Sequence, residues 1–166
     1  MNKIQIIVNN GAGTGSAVAV WKETKEYLQE NGISYNAYLT RYEKHAVKLA
    51  GQICGKIPEG PIYLLVVGGD GTINEVLNGI TDFDRVRLGV IPTGSGNDFA
   101  RNLGILRDTR EDLREITACI DQEQNGEKLQ RIDLGKVSWK GCEKPRIFGI
   151  SAGAGLDAIV CKKALH

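Results

Sequence analysis

The sequence predicts an α/β domain on a mainly parallel sheet, and three observations carry that prediction. Short apolar runs of strand length alternate with helical stripes of apolar residues at i, i+3, i+4 and i+7. Glycine-rich stretches at 11–15, 68–71 and 94–96 follow three of those runs. The central run, Ile62 to Val67, is apolar throughout, as a strand covered on both faces must be. Repeated strand–helix–strand units require right-handed crossovers and a helix layer on each side of the sheet. The expected result is a Rossmann-like three-layer domain.

Each element follows from local chemistry. Residues 4–8 (IQIIV) form a first buried strand that ends in the loop Asn9-Asn10-Gly11-Ala12-Gly13-Thr14-Gly15. A helix follows with Val18, Trp21, Lys25 and Leu28 on one side, and Gly32 ends it as a C-cap. Residues 33–39 alternate as a second strand, followed by Thr40. Ala46, Leu49, Ala50 and Ile53 mark a second helix closed by Gly55. After the central strand and Gly68-Gly69-Asp70-Gly71, Ile73, Val76, Leu77 and Ile80 define a third helix. Thr72 and Glu75 have the spacing of a capping box at its start. A fourth strand, 86–91, is stopped by Pro92. Ser95 or Asn97 then caps a short helix. Leu113, Ile116, Thr117 and Ile120 face the core from a further helix, which Asp108 and Glu111 open as a second capping box. After about Gly126 the pattern changes, and residues 129–139 and 146–152 read as two antiparallel strands around a polar turn. Residues 127–166 are therefore expected to be the incomplete first strands of a truncated, antiparallel β-rich second domain. A lone hairpin is marginal in water, so self-association into a homo-oligomer, or disorder, is expected there.

Composition excludes several classes. With 21 basic and 20 acidic residues there is no nucleic-acid footprint and no net attraction to a membrane. The four cysteines, Cys54, Cys119, Cys142 and Cys161, are far apart and read as reduced thiols of an intracellular protein. Only His45 and His166 are present, which argues against a histidine metal site or a Ser-His-Asp triad. No apolar run approaches the roughly 18 residues of a membrane span, and a cytoplasmic location is expected.

Chemistry concentrates at the glycine turns. A strand–glycine turn–helix presents bare backbone N–H groups and the positive end of a helix dipole, where phosphate binds. Glycine lets phosphate approach and permits positive φ. Asp70 inside such a turn is suited to magnesium or a hydroxyl, since a bare carboxylate repels phosphate. The motif G-x-G-x-x-G is not met at the first loop, where Ser16 takes the third glycine position, and no P-loop motif occurs. In parallel sheets ligands bind beyond the carboxyl ends of the strands. All three glycine loops follow strand ends, so one nucleotide spanning them is the economical reading.

GGDGTINEVLNGI (68–80) followed by GVIPTGSGNDFARNLGI (89–105) resembles the catalytic domain of the diacylglycerol kinase and bacterial lipid kinase family, which includes sphingosine and ceramide kinases. The GGDGT element alone is shared with NAD kinases and phosphofructokinases; the PTGSGNDFAR element resembles the lipid kinase branch. The resemblance implies an ATP site between the glycine loops, with residues 1–126 as the nucleotide-binding α/β domain. Its nucleotide contacts would fall on Asn9, Gly13, Thr40, Gly68, Gly69, Asp70, Gly71, Thr72, Ile73, Asn74, Glu75 and Ser95. Asn10 stands where the family usually has proline. Glu75 either lies near the nucleotide or completes the capping box. Asp98 is favoured by the helix dipole without any function, while the resemblance implies a role near the transferred phosphate or the lipid hydroxyl. Arg101 either answers phosphate charge or pairs with Asp98 at i, i+3. Asp133, read as an inward-pointing acid of a strand, would belong to a magnesium- and water-linked network.

The implied activity is ATP- and Mg²⁺-dependent phosphorylation of a lipid hydroxyl such as that of diacylglycerol, with Asp70 and Asp98 as the catalytic acids. The family's general base lies in the second domain, beyond residue 166, so this chain is expected to be inactive alone. The longer protein would visit the membrane surface transiently to collect its lipid. An NAD kinase-like enzyme, a non-catalytic nucleotide-binding module and a flavodoxin-like domain are the rival readings.

Overall fold

The computed structural model describes residues 3–9, 11, 16–105 and 108–152. The chain forms β1 (Ile4–Val8), α1 (Ser16–Glu30), β2 (Tyr35–Leu39), α2 (His45–Lys56), β3 (Ile62–Gly68), α3 (Asp70–Gly79), β4 (Val86–Pro92), α4 (Asp98–Asn102), α5 (Thr109–Gln124), β5 (Gly135–Val137) and β6 (Arg146–Phe148). The first four strands make one parallel sheet in the order β2-β1-β3-β4.

The two-residue period of β3 divides the core. Ile62, Leu64 and Val66 join α2, α3 and α4 on one face. Tyr63, Leu65 and Val67 join Trp21 and Leu28 of α1 and Leu113 and Ile120 of α5 on the other. Every β3 side chain is buried, and each large one contributes on the order of 2 kcal/mol. On β1, Gln5 is the buried exception, and its carbonyl accepts from Asn36 Nδ2 and Tyr38 OH at 3.2 Å each.

Several local expectations shift. The buried stripe of α1 is Ala17, Trp21, Thr24 and Leu28, while Val18 is 55% exposed. Thr24 can sit inside because its hydroxyl donates to Val20 O at 2.8 Å. Gly32, at φ +64, closes α1 with Gly32 N donating to Gln29 O and Ile33 N to Leu28 O. That cap consumes Ile33, so β2 starts at Tyr35 instead. Gly55 does not end α2, which runs on to Lys56. Asp108 does cap α5, accepting from Glu111 N at 2.9 Å.

The Thr72–Glu75 capping box does not form, because α3 begins two residues earlier, at Asp70. Glu75 instead reaches across to α2, where its carboxylate accepts from Lys44 N at 3.0 Å and Ala46 N at 3.2 Å. Lys44 precedes α2 at φ +64 without a side-chain cap of its own. The two helices lie close enough that a Cβ on Gly79 would meet Val47 O at 2.2 Å.

The C-terminal pair is shorter than expected. Residues 129–134 carry no strand, and β5 and β6 hold three residues each, antiparallel. The pair is docked on α3: Asn78 Nδ2 donates to Ile147 O at 2.8 Å and Ile147 N donates to Asn78 Oδ1 at 3.0 Å. One amide side chain thus acts as the neighbouring strand that β6 lacks.

Asn78→Ala is expected to cost about 1–2 kcal/mol and to raise amide exchange at Ile147, because a partly buried pair of backbone groups loses both partners. Lys44→Gly should raise stability by up to about 1 kcal/mol in urea unfolding, since it relieves a left-handed non-glycine residue. Arg110 bonds Glu30 at 2.8 Å across α1 and α5, and that hydrogen bond holds the Glu30 carboxyl below its ordinary value of 4.5. A depressed folded pKa contributes stability above the unfolded value and loses it as pH falls. Arg110→Ala should therefore flatten the acid limb of the stability profile below about pH 4.5.

Candidate active site

The carboxyl ends of the strands meet at one edge. Asn9, just past β1, accepts at Oδ1 from Gly11 N at 3.1 Å and from the Thr40 hydroxyl at 3.2 Å. Its Nδ2 donates to Thr72 Oγ1 at 2.9 Å. One side chain therefore ties the ends of β1 and β2 to the first turn of α3. Beyond β3 and β4, Thr93 N donates to Gly68 O at 3.1 Å, and the two glycine turns touch back to back. A Cβ on Gly69 would stand 3.0 Å from the Gly94 Cα, and one on Gly94 would stand 2.9 Å from the Gly69 Cα. These glycines are required by backbone packing. None of Gly68, Gly69, Gly71, Gly94 and Gly96 has positive φ, which corrects that expectation.

Asp70 settles how the two turns are locked. Its Oδ2 accepts from Asp98 N and its Oδ1 from Phe99 N, both at 3.0 Å. These are the first amides of α4, so the cap of α4 comes from α3, and neither Ser95 nor Asn97 supplies it. Asn97, at φ +54, closes its own turn: Oδ1 accepts from Gly94 N at 2.9 Å and Nδ2 donates to Gly94 O at 2.7 Å. Ser95 is exposed. Arg101 pairs with Asp98 Oδ1 at 2.9 Å and also donates to Gly96 O at 2.9 Å. The side chain of Asp70 is thus turned onto α4.

A Cβ on Gly96 would stand 3.3 Å from Asp70 Oδ2 and 3.9 Å from Asp98 Oδ2. The missing side chain keeps open a small acidic cradle between the two carboxylates. Hard divalent cations take oxygen donors, and Mg²⁺ commonly uses one or two carboxylates with substrate phosphates and water, so this pair fits it. No group of three or more His, Cys, Asp or Glu that could hold a metal occurs among the described residues.

Beside the carboxylates lies a cleft of about 450 Å³. One wall is Asp70, Asn74, Leu77, Asp98 and Phe99 from α3 and α4; the other is Val137, β6 and residues 149–152. Gly149 crosses directly over the Phe99 ring, where a Cβ would be 2.6 Å away. The cleft thus has two carboxylates at one end, and along its length Leu77, Phe99, Val137, Ile147, Phe148 and Ile150 are interspersed with Asn74, Arg146 and Ser151.

Of the expected site residues, Asn9, Thr40, Gly68, Gly69, Thr72, Asp70 and Asp98 gather at this edge, and Asn74 lines the cleft. Gly13 lies outside the described residues. Gly71 and Ile73 line the cleft beside Asn74, with Ile73 also packed in the core, while the side chain of Glu75 faces α2. Asp133 is exposed, lies in no strand and does not line the cleft, so it is not the inward-pointing acid its sequence neighbours suggested. Two organising side chains went unrecognised. Asn78 fell among helical polar residues that look solvated, and the turn-closing role of Asn97 was signalled only by its tolerance of left-handed φ.

Residues 3–137 match the family model described as the diacylglycerol kinase catalytic domain, and the chain belongs to that family. It is 33% identical over 163 residues, 96% of its length, to a Bacillus subtilis protein named "Putative lipid kinase YtlR". It is 31% identical over 137 residues, 82% of its length, to a diacylglycerol kinase of Staphylococcus carnosus. A crystal structure of a diacylglycerol kinase from Bacillus anthracis superposes with a TM-score of 0.58 at 28% identity, covering 70% of this chain and 39% of that one. The chain spans 50% of the Bacillus subtilis relative and 41% of the Staphylococcus carnosus one. The family is one of kinase-type phosphotransferases. No described helix is long and apolar enough to cross a membrane.

Asp70→Asn keeps one acceptor and turns an amide donor toward an N–H, so α4 should lose its cap at a cost of about 1–3 kcal/mol. Urea unfolding, with amide exchange at Asp98 and Phe99, measures it. Gly69→Ala should cost about 1–3 kcal/mol by forcing the turns apart; an unchanged midpoint would remove the back-to-back contact as the reason for glycine.

Proposed function

We propose that this chain is the nucleotide-binding part of an ATP-dependent lipid kinase, acting on the hydroxyl of a lipid such as diacylglycerol. The observation that carries the reading is the placement of Asp70 and Asp98 at the end of a cleft that also presents Leu77, Phe99, Val137, Ile147, Phe148 and Ile150. A soluble alcohol would need no such wall; a lipid hydroxyl must be brought to the acids with its acyl part shielded from water.

Bound Mg²⁺-ATP would supply the transferable phosphoryl group and neutralise its charge. Asn9, Thr40, Gly68, Gly69, Gly71, Thr72, Asn74 and Ser95 are the residues this reading assigns to the nucleotide, together with Gly13. Backbone N–H groups at the start of α3 would hold phosphate oxygens. Asp70, by capping α4, sets where Asp98 stands. Asp98 keeps Oδ2 free of the Arg101 pair, directed toward the Gly96 cradle, where it can orient a metal-bound water or the acceptor hydroxyl. Asp70 and Asp98 would hold the metal; Asp133 is left to a metal role only in the longer protein. In this reading the general base belongs to the longer protein, and the 166-residue chain transfers no phosphate by itself. A transient encounter with a membrane would deliver the lipid.

Radiolabelled ATP offered to the complete gene product with a panel of lipids and with NAD tests the proposal. Label in a diacylglycerol-type lipid is expected; label in NAD alone would replace this reading with a dinucleotide kinase. Asp98→Asn should lower kcat by about 100-fold or more with little change in ATP affinity. The 166-residue chain alone should show a thermal shift with Mg²⁺-ATP and no transfer.

A further inference from the structure

One buried side chain at the sheet edge has no partner. Thr93 is 6% exposed, and its hydroxyl is a buried polar atom without a hydrogen bond. The other two buried threonines among the described residues are satisfied: Thr24 Oγ1 donates to Val20 O, and Thr72 Oγ1 accepts from Asn9 Nδ2. A valine would fill the same space with no bond left unmade, so the hydroxyl is carried at a cost unless a ligand meets it. Thr93 stands where three elements come together. It lies one residue beyond β4, and its N–H donates to Gly68 O at the end of β3. Its carbonyl accepts from Ser16 Oγ, at the start of α1, at 3.5 Å. α1 is 15 residues long and holds no acid in its first turn, whereas α3, α4 and α5 each do, and α2 receives Glu75. The positive dipole end of α1 is thus unanswered by any acid of its own.

The face matters as much as the place. Alternation along β4 puts Thr93 on the side of Ile91, which packs with α1 and α5, while Val90 packs with α2, α3 and α4. Asp70 and Asp98 belong to α3 and α4, on the opposite side. We propose that the Thr93 hydroxyl donates to a phosphate oxygen of the nucleotide, at a phosphate that is not transferred. The phosphoryl group in transfer must lie beside the carboxylates, so the far side of the sheet edge is left to the part of the phosphate chain that ADP retains. A neutral hydroxyl buried from water suits an anionic oxygen, because a charge-assisted bond is stronger than a neutral one and stronger still away from solvent. The start of α1 beside it favours the same charge. This assignment rests on the nucleotide-binding reading and adds a contact to it.

The complete gene product is titrated by calorimetry with ADP, Mg²⁺-ATP and inorganic phosphate, and its thermal midpoint is read without ligand. Thr93→Val is expected to bind ADP and Mg²⁺-ATP each about tenfold more weakly, by the same factor, because a phosphate common to both loses a charge-assisted donor. Thr93→Ser, which keeps the hydroxyl, should stay within about threefold of the wild type. In lipid phosphorylation, Thr93→Val should raise KM for ATP about tenfold with little change in kcat. Without ligand, Thr93→Val should melt no lower than the wild type, since it removes a buried donor that has no partner. Unchanged affinity in Thr93→Val, a lower ligand-free midpoint, or a loss confined to Mg²⁺-ATP overturns the inference. A loss confined to inorganic phosphate overturns it too, by making this a site for free anion. A wild-type protein that binds neither nucleotide removes the nucleotide reading together with the inference; one that binds both while Thr93→Val is unaffected removes the inference alone.

Discussion

The carboxylate of Asp70 leaves its own helix and takes both leading amides of α4. α4 is five residues long, too short to hold itself together by its own hydrogen bonds. Its position therefore depends on this cap and on burial of Phe99 and Ala100. Asp98, Gly96 and the apolar wall of the cleft are fixed in turn. The same interaction resolves an electrostatic conflict. In the proposed function an acid in the first turn of α3 would repel phosphate from the amides beside it, and its engagement with the leading amides of α4 offsets that repulsion.

α3 serves as the hub in two further ways. Glu75 caps α2 from outside, and Asn78 pairs with the backbone of β6. Three side chains of one ten-residue helix thus supply hydrogen bonds that α2, α4 and β6 lack for themselves. Each receiving element has a reason to need help. Lys44 has no side-chain cap to offer, Asn97 is turned back on Gly94, and β6 has a partner on one side only. The Gly69–Gly94 contact completes the arrangement by letting the two turns meet without side chains between them.

The second wall of the cleft is lighter. A three-residue strand pair with Phe148 over Gly135 buries little by itself, so its place depends on α3 and on Gly149 passing over Phe99. This chain covers half of its Bacillus subtilis relative, and both walls of the cleft come from it.

The sequence by itself determined the layers, the strand that runs through the middle of the core and the edge at which the glycine turns collect. Those are readable because burial on two faces leaves an unbroken apolar run, and helix and strand periods differ. It also carried the family, since the spacing of the two glycine motifs lies along the chain. Tertiary structure decided the rest. Whether Val18 or Ala17 faces the core is settled by the neighbouring helix, and the spacing of Thr72 and Glu75 was a correct local signal overruled by a partner 31 residues away in sequence. The same holds for Asp133, whose apolar neighbours imitate a strand although no sheet receives them. The functions of Asp70, Glu75 and Asn78 as caps and clamps were decided there too, because a hydrogen-bond acceptor on one helix finds its donors only once another element has been packed against it.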